Sequence, residues 1–415
     1  MSVLSVLAVD PLLTGDIGWA EVLIVLLKTV VAFGLLLNSV ILMIWFERKL
    51  ISDFQNRVGP NKAGPWGLLQ TLADGLKLIM KEDLIPDRAD RKVFILAPFL
   101  SAVPAFVTFA VVPIGGGFDG EKFGAISLFG HDTYVQLADP PIGVLLILAM
   151  SSIAIYGVML AGWSSGSKWP LLGAVRGTAQ MVSYEAALGL AVVAVVLLSG
   201  SLSTHDIVVT QAGSGYELFG AIGIPRWNLI ATGVVPFVIF IIAATAELNR
   251  PPFDLVEAEQ ELVGGFQTEY SSFRFALFYL AEFMSTITMS AIIVTLFFGG
   301  PAGPIWFGLP GWLWGLVWFS LKLFVFLFIF VWTRATLPRF RYDQLMGIGW
   351  KALIPLALGW LLLLAAINVG RDEGWNMVAV VGVSLAALVA AWGSIAAAVD
   401  VARKRRESPE EEVIA

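Results

Sequence analysis

The 415-residue chain has no cysteine. Disulfides, iron–sulfur ligation and thiolate metal sites are therefore excluded from it. Any redox chemistry attached to the protein belongs to a partner or to a dissolved substrate. Histidine is nearly as scarce: His131 and His205 are the only two. Both fall between apolar runs, where they cannot form the paired axial ligands of an intramembrane haem. Charged residues make up 14% of the chain and the formal net charge is −6, which argues against nucleic acid as a partner. No glycine-rich dinucleotide fingerprint follows a strand, and there is no P-loop. The first 27 residues hold no Lys or Arg, and Asp10-Pro11 interrupts the early apolar stretch, so no cleavable signal is expected.

What the chain does have is apolar length. It is 58% hydrophobic, with a mean hydropathy of +0.82. Runs long enough to cross a hydrocarbon core of about 30 Å recur throughout. They lie near 21–46, 93–114, 140–162, 178–200, 228–249, 273–299, 312–333, 352–369 and 376–400. These runs are continuous rather than alternating, which argues against a barrel. The expected fold is an all-α polytopic membrane protein, a single helical domain over 1–400 with a charged tail at 401–415. With the N-terminus outside, the loops assigned to the inside carry 21 of the 26 Lys and Arg residues. That bias places the C-terminus in the cytoplasm.

The first inside loop holds an amphipathic stretch at 66–81, with Leu68, Leu69, Leu72, Leu76, Ile79 and Met80 on one stripe and Gln70, Asp74, Lys77 and Lys81 elsewhere. It is expected to lie in the headgroup plane. No internal repeat is visible. The last residues, including SPEEEVIA, read as a disordered acidic tail.

Ionisable groups inside spans cost about 2.5–3.5 kcal/mol each at the centre. Glu185 and Glu282 lie within the fourth and sixth spans, roughly 12 Å below the inner surface. Glu247 and Glu47 sit at the inner ends of the fifth and first. A low-dielectric interior favours the neutral carboxylic acid, which suits reversible proton uptake. Lys322, mid-way along the seventh span, reads equally as a station on such a path or as a counter-charge.

Residues 246–270, AELNRPPFDLVEAEQELVGGFQTEY, carry six carboxylates (Glu247, Asp254, Glu257, Glu259, Glu261, Glu269) against one cation, Arg250. Pro251 and Pro252 end the span because neither donates a backbone bond. The sequence predicts a short surface helix starting at Asp254 and closed by Gly264-Gly265, with Asp254, Glu257 and Glu261 on one face. This is a structured acidic cytoplasmic loop whose carboxylates continue into the membrane.

Four segments then carry a resemblance: FERKLISDFQNRVGPNKAG, GWSSGSKWPLLGAVRGTAQMVSYE, AELNRPPFDLVEAEQELVGGFQTEYSSFRFALFYLAEF and WTRATLPRFRYDQLMGIGWK. In order and spacing they resemble the H-subunit family of bacterial proton-pumping NADH:quinone oxidoreductase, respiratory complex I, over about residues 20–370. The resemblance implies a protein that joins the membrane arm to the peripheral arm and forms the floor and entrance of the quinone chamber. It implies ubiquinone or menaquinone as substrate, and no cofactor held by this chain, with FMN and iron–sulfur clusters in partner subunits. Matching positions for the chamber are Glu47, Arg48, Arg57 and Asp254. Phe46, Trp66, Leu69, Phe273 and Phe278 are candidates for an apolar tail lining, and Arg274 for pairing with the acidic loop or orienting the headgroup. Glu185, Glu247, Glu257, Glu259, Glu261 and Glu282 match the family's file of carboxylates toward its pumping subunits, and Lys322 is carried as a further candidate. The chain itself is expected to break no covalent bond. Other membrane and peripheral subunits, quinone and the lipid bilayer are the implied partners, in a bacterial cell membrane.

Two departures stand out. The ninth span and the RKRR run at 403–406 lie beyond the eight-span core of the mitochondrial counterpart, and Gly166 and Trp169 replace the expected Asn and Tyr. Two rival readings are the related membrane protein of an ion-pumping membrane-bound hydrogenase and a stand-alone cation/proton transporter. QNRVGPN favours the quinone enzyme over the first.

Overall fold

The computed structural model describes residues 10–13, 18–118, 124–212, 216–218, 222–224, 226–257, 259–305 and 310–412. The long helices are α1 (Trp19–Phe54), α3 (Arg91–Ala110), α4 (Gly143–Ser164), α5 (Lys168–Ser199), α10 (Ser272–Phe297), α11 (Gly311–Thr336), α13 (Ile354–Asp372) and α14 (Met377–Glu412). Shorter helices are α2 (Gln70–Met80), α6 (Thr204–Ala212), α7 (Asn228–Ala231), α8 (Val234–Glu247), α9 (Glu259–Leu262) and α12 (Tyr342–Ile348). Antiparallel pairs β1 (Ala125–Leu128) with β2 (His131–Tyr134), and β3 (Tyr216–Leu218) with β4 (Ile222–Ile224), interrupt the connections. Seven helices among the described residues are long and apolar enough to cross a membrane, α12 and α13 counting as one through a π turn at Gly349–Leu353. The all-α polytopic reading holds.

Helix α10 is the axis. Its most apolar window is 83% buried, against 11% for α1. Helices α1, α3 and α11 pack against it, and α4 is held to α3 and α5 by small side chains at specific positions. A Cβ on Gly157 of α4 would collide with Ser101 of α3, and one on Gly162 with Ala174 of α5. Pro98 inside α3 removes an N–H and so frees the carbonyl of Phe94. The Tyr270 hydroxyl donates to that carbonyl at 3.1 Å while its ring stacks on Phe94 at 4.0 Å.

Three expected elements differ. The run 228–249 is two helices, broken at Gly233 (φ +78°), and α8 has only 14 residues. At 1.5 Å per residue it spans roughly 21 Å, so Glu247 ends the helix inside the bundle and lines a cavity with Ser151 of α4. The amphipathic stretch begins with a 3-10 turn at Pro65–Gly67, and only Gln70–Met80 is α-helical. Leu72, Leu76, Ile79 and Met80 remain exposed, as a helix lying on lipid requires. The tail expected to be disordered is helical through Glu412.

Candidate functional site

The site is built where α8 stops. The Leu248 N–H donates to the Ala244 carbonyl, Asn249 to Ala246 and Arg250 to Thr245. Asn249 takes the left-handed conformation (φ +53°) that closes a helix. Gln180 of α5, fully buried, donates to the Ala246 carbonyl at 2.7 Å. The chain then passes through Pro251 and Pro252 and folds back against α5. Gly173 and Gly177 make room for it: a Cβ on Gly173 would lie 2.8 Å from the Gly265 Cα, and one on Gly177 2.7 Å from Val256. Gly265 (φ +57°) is equally constrained, since a Cβ there would run into the Val256 carbonyl. This small-xxx-small spacing lets backbone approach helix closely.

Residues 254–257 are therefore not a surface helix. Helix formation is confined to Glu259–Leu262, because the segment before it is drawn into the bundle, with Leu255 and Val256 buried. The carboxylates expected on one face point three ways. Asp254 pairs with Arg339 at 2.8 Å. Glu257 turns inward and accepts from Gln267 Nε2 at 2.8 Å. Glu261 turns outward to Arg176 at 2.7 Å. The Glu259 side chain lies outside the described residues.

Arg250 is the group to which the others are organised. It is fully buried. Its Nη1 donates to Glu47 Oε2 at 2.5 Å, its Nε lies 3.1 Å from Glu282 Oε1, and its guanidinium sits 4.5 Å from the centre of the Phe283 ring. Glu47 also accepts from Arg334 of α11. Two carboxylates and two arginines thus join α1, the acidic loop, α10 and α11. A buried carboxylate without such partners would carry a penalty of several kcal/mol.

Beside this cluster runs a cavity of about 120 Å³, lined by Glu257, Glu282 and Glu247 and continued by Ser151, Ser285 and Thr288. Glu247 Oε2, Ser101 Oγ and Thr288 Oγ1 are buried and face it without a protein hydrogen bond. Glu185 of α5 is outside the cavity lining and receives a hydrogen bond from Ser152 of α4, whose neighbour Ser151 lines the cavity. Outside the helices, burial pushes the Glu257 carboxyl up to about 8, with the Glu282 and Asp254 charges adding to the effect. Burial also raises Asp254, against the pull of Arg339.

The expected chamber residues separate into two groups. Arg48 pairs with Asp74 and so clamps α2 to α1. Trp66 is 73% exposed and its carbonyl accepts from Trp45 Nε1. Phe46 is half-buried against Phe324, Leu69 and Phe273 are exposed, and Arg57 is exposed in the loop after α1. Arg274 pairs with Asp83 at 3.0 Å, in the first loop rather than the acidic one. Phe278 is in the interior, edge-on to Phe266 and Tyr270, and lines the cavity. Lys322 is remote from the glutamates. Its ammonium donates to the carbonyls of Phe298, Gly300 and Ala302, at 2.7–2.9 Å, where the end of α10 favours a cation.

A family profile described as NADH dehydrogenase matches residues 27–365. Proteins named as the H subunit of NADH-quinone oxidoreductase are similar along most of their length. That of Frankia alni is 50% identical over 373 residues, covering 88% of this chain and 77% of the relative. That of Streptomyces avermitilis is 49% identical, over 85% and 75%, and that of Cutibacterium acnes 46%, over 88% and 83%. The chain belongs to this H-subunit family. The profile match ends before α14, so this helix is an addition to the part that the family profile covers.

Four residues of the site escape a reading of the sequence. Arg250 reads as the end of a span, though it is the lone cation among six carboxylates. Arg334 gives no signal beyond its place at the end of a span. Ser151 and Ser152 are a polar pair in an apolar run, and depth alone is a signal that could pair them with Glu247 and Glu185.

Proposed function

We propose that this chain is the membrane subunit of an NADH:quinone oxidoreductase that admits quinone at the inner face and passes the energy of its reduction to proton movement. Its relatives carry that enzyme's name, and it is a multi-pass membrane protein. The observation that carries the finer reading is the cavity lined by Glu257, Glu282 and Glu247. It joins the acidic loop to the middle of the bundle. Its volume accommodates about four waters at liquid density, and its unpaired buried oxygens are groups that ordered water satisfies.

The opening for quinone is framed by α1, α2 and α10. Helix α2 is held to α1 by Arg48–Asp74, and to α10 by Ser272, whose hydroxyl donates to Leu78 and Lys81 carbonyls. Apolar side chains at Leu69, Leu72 and Phe273 face outward there, as an isoprenoid tail requires. Reduction takes two electrons, from redox centres of partner subunits, and two protons. A change of charge above the loop alters the share of Arg250 held by Glu47 and by Glu282. Because these groups are coupled, protonation of one shifts the others, and the proton passes by Glu247 to Glu185. Glu185 is only partly buried, beside exposed Val182, so the path leaves this chain toward a neighbouring protein of the complex.

The test is Glu185→Gln and Glu282→Gln in the whole complex. Assembly at the parental level with reduced quinone-linked activity and pumping is expected. Parental activity in both variants would sink the reading.

A further inference from the structure

The cavity does not stop at Glu247. Its lining continues to Thr108, two residues from the far end of α3, and to Ile147, four from the far end of α4. Ser101 and Thr288 place hydroxyls in this recess with no protein partner, and Thr108 Oγ1 spends its proton on the Pro104 carbonyl, leaving lone pairs free. A path that turned sideways at Glu247 would have no use for a polar recess beyond it.

On the far face a second polar network comes within one helical turn. Gln136 Nε2 donates to the Val111 carbonyl at 2.8 Å and to Thr204 Oγ1 at 2.9 Å, and Thr204 donates to the same carbonyl at 2.6 Å. Next to Thr204, Ser203 donates to Asp139 at 2.8 Å, and the other Asp139 oxygen is buried without a hydrogen bond. Burial pushes this carboxyl up to about 6, a value suited to taking and releasing a proton near neutral pH. The backbone crosses the gap directly, since Val111 N–H donates to the Thr108 carbonyl. Only side chains separate the two networks. Val111 is fully buried, Val144, Ile147 and Ile292 are nearly so, and a Cβ on Gly143 would lie 2.9 Å from Val111 Cγ1. A second fissure from Glu247, also lined by Val144, Ile147 and Ile292, runs past Phe240, Val192 and Leu296. It has room for about one water and is apolar throughout beyond Ser151, so it is the poorer route, and the Thr108 variant below tells the two apart.

We propose that this chain carries its own outward proton exit, running from Glu247 past Thr108 to the Gln136–Thr204–Asp139 network, and that the apolar layer of Val111, Val144, Ile147 and Ile292 holds it shut in this conformation. The proton moves as an excess proton on water in the recess and is taken up by the Asp139 carboxylate when the layer parts. No bond other than O–H is made or broken. The proposal rests on the reading of the cavity as a proton path.

The experiment uses the whole complex in proteoliposomes. With no NADH and an imposed membrane potential, Ile147→Ser is expected to raise passive proton entry about tenfold, the equivalent of about 1.4 kcal/mol off a barrier. Adding Thr108→Val is expected to return it to the parental rate. Thr108→Val alone, an isosteric change, should lower the protons moved per quinone reduced. Unchanged leak in an assembled Ile147→Ser complex, or leak indifferent to Thr108→Val, overturns the exit. If Ile147→Ser fails to assemble, the Thr108→Val ratio decides: a fall supports the exit and a parental ratio overturns it. Should Glu185→Gln and Glu282→Gln lower pumping while Thr108→Val does not, the cavity reading stands and the exit alone fails.

Discussion

Arg250→Gln is the most exposing perturbation of the site. The guanidinium is fully buried, 2.5 Å from Glu47 and 3.1 Å from Glu282. Glu47 keeps Arg334 when Arg250 is lost. Glu282 loses its only ion-pair partner among the described residues, so the damage falls there. Breaking a buried pair by removing one member costs about 3–5 kcal/mol, because a charge is left uncompensated. If about a third of this is felt in the barrier to heat inactivation, the rate rises about tenfold. The assay is the decay of quinone reductase activity of the purified complex at a fixed elevated temperature. The double variant Arg250→Gln with Glu282→Gln removes the stranded charge and should recover to within about threefold of the parent. A parental decay rate in Arg250→Gln would refute the electrostatic reasoning. A double variant as labile as the single one would assign the loss to packing on Phe283 and to Glu47 instead.

Two further perturbations separate proton handling from scaffolding. Glu257, pushed up to about 8, is neutral below that pH and adds a charge beside Glu282 and Asp254 above it; pumping per quinone reduced should therefore change near pH 8 in the parent and not in Glu257→Gln, measured from pH 6 to 9. The same raised value makes the folded state lose stability as pH rises from the ordinary carboxyl range through about 8, so heat inactivation should steepen over that window in the parent and less in Glu257→Gln. Lys322→Met strands three carbonyls and should cost about 2 kcal/mol, read as faster heat inactivation with the protons moved per quinone unchanged; a lowered ratio would return Lys322 to the proton path.

The architecture is legible in the sequence because continuous apolar runs and the distribution of Lys and Arg report directly on a membrane environment. What stays hidden follows from one local assumption, that a span ends at the membrane surface. Counting residues 228–249 as one helix puts Glu247 near the inner boundary. Gly233 breaks that helix, and the 14-residue α8 leaves Glu247 level with Ser151. The same displacement draws Leu255 and Val256 into the core, and it removes the surface on which Asp254, Glu257 and Glu261 would have shared a face. Periodicity cannot detect this, since it describes a segment relative to its own axis and not the depth at which that axis begins.

Charge counting fails for a related reason. Six carboxylates around one arginine look like an excess of negative charge, but the counter-charges come from distant segments: Arg339 to Asp254 and Arg176 to Glu261, while Arg250 itself is shared with Glu47, which Arg334 also holds. Glu257 and Glu247 have no cation within ion-pair distance among the described residues, and both line the cavity. Paired carboxylates resist protonation, whereas unpaired buried ones accept it. The division between carboxylates that are paired and those left unpaired in the cavity is thus decided by where arginines from other helices arrive, which no inspection of residues 246–270 alone could reveal.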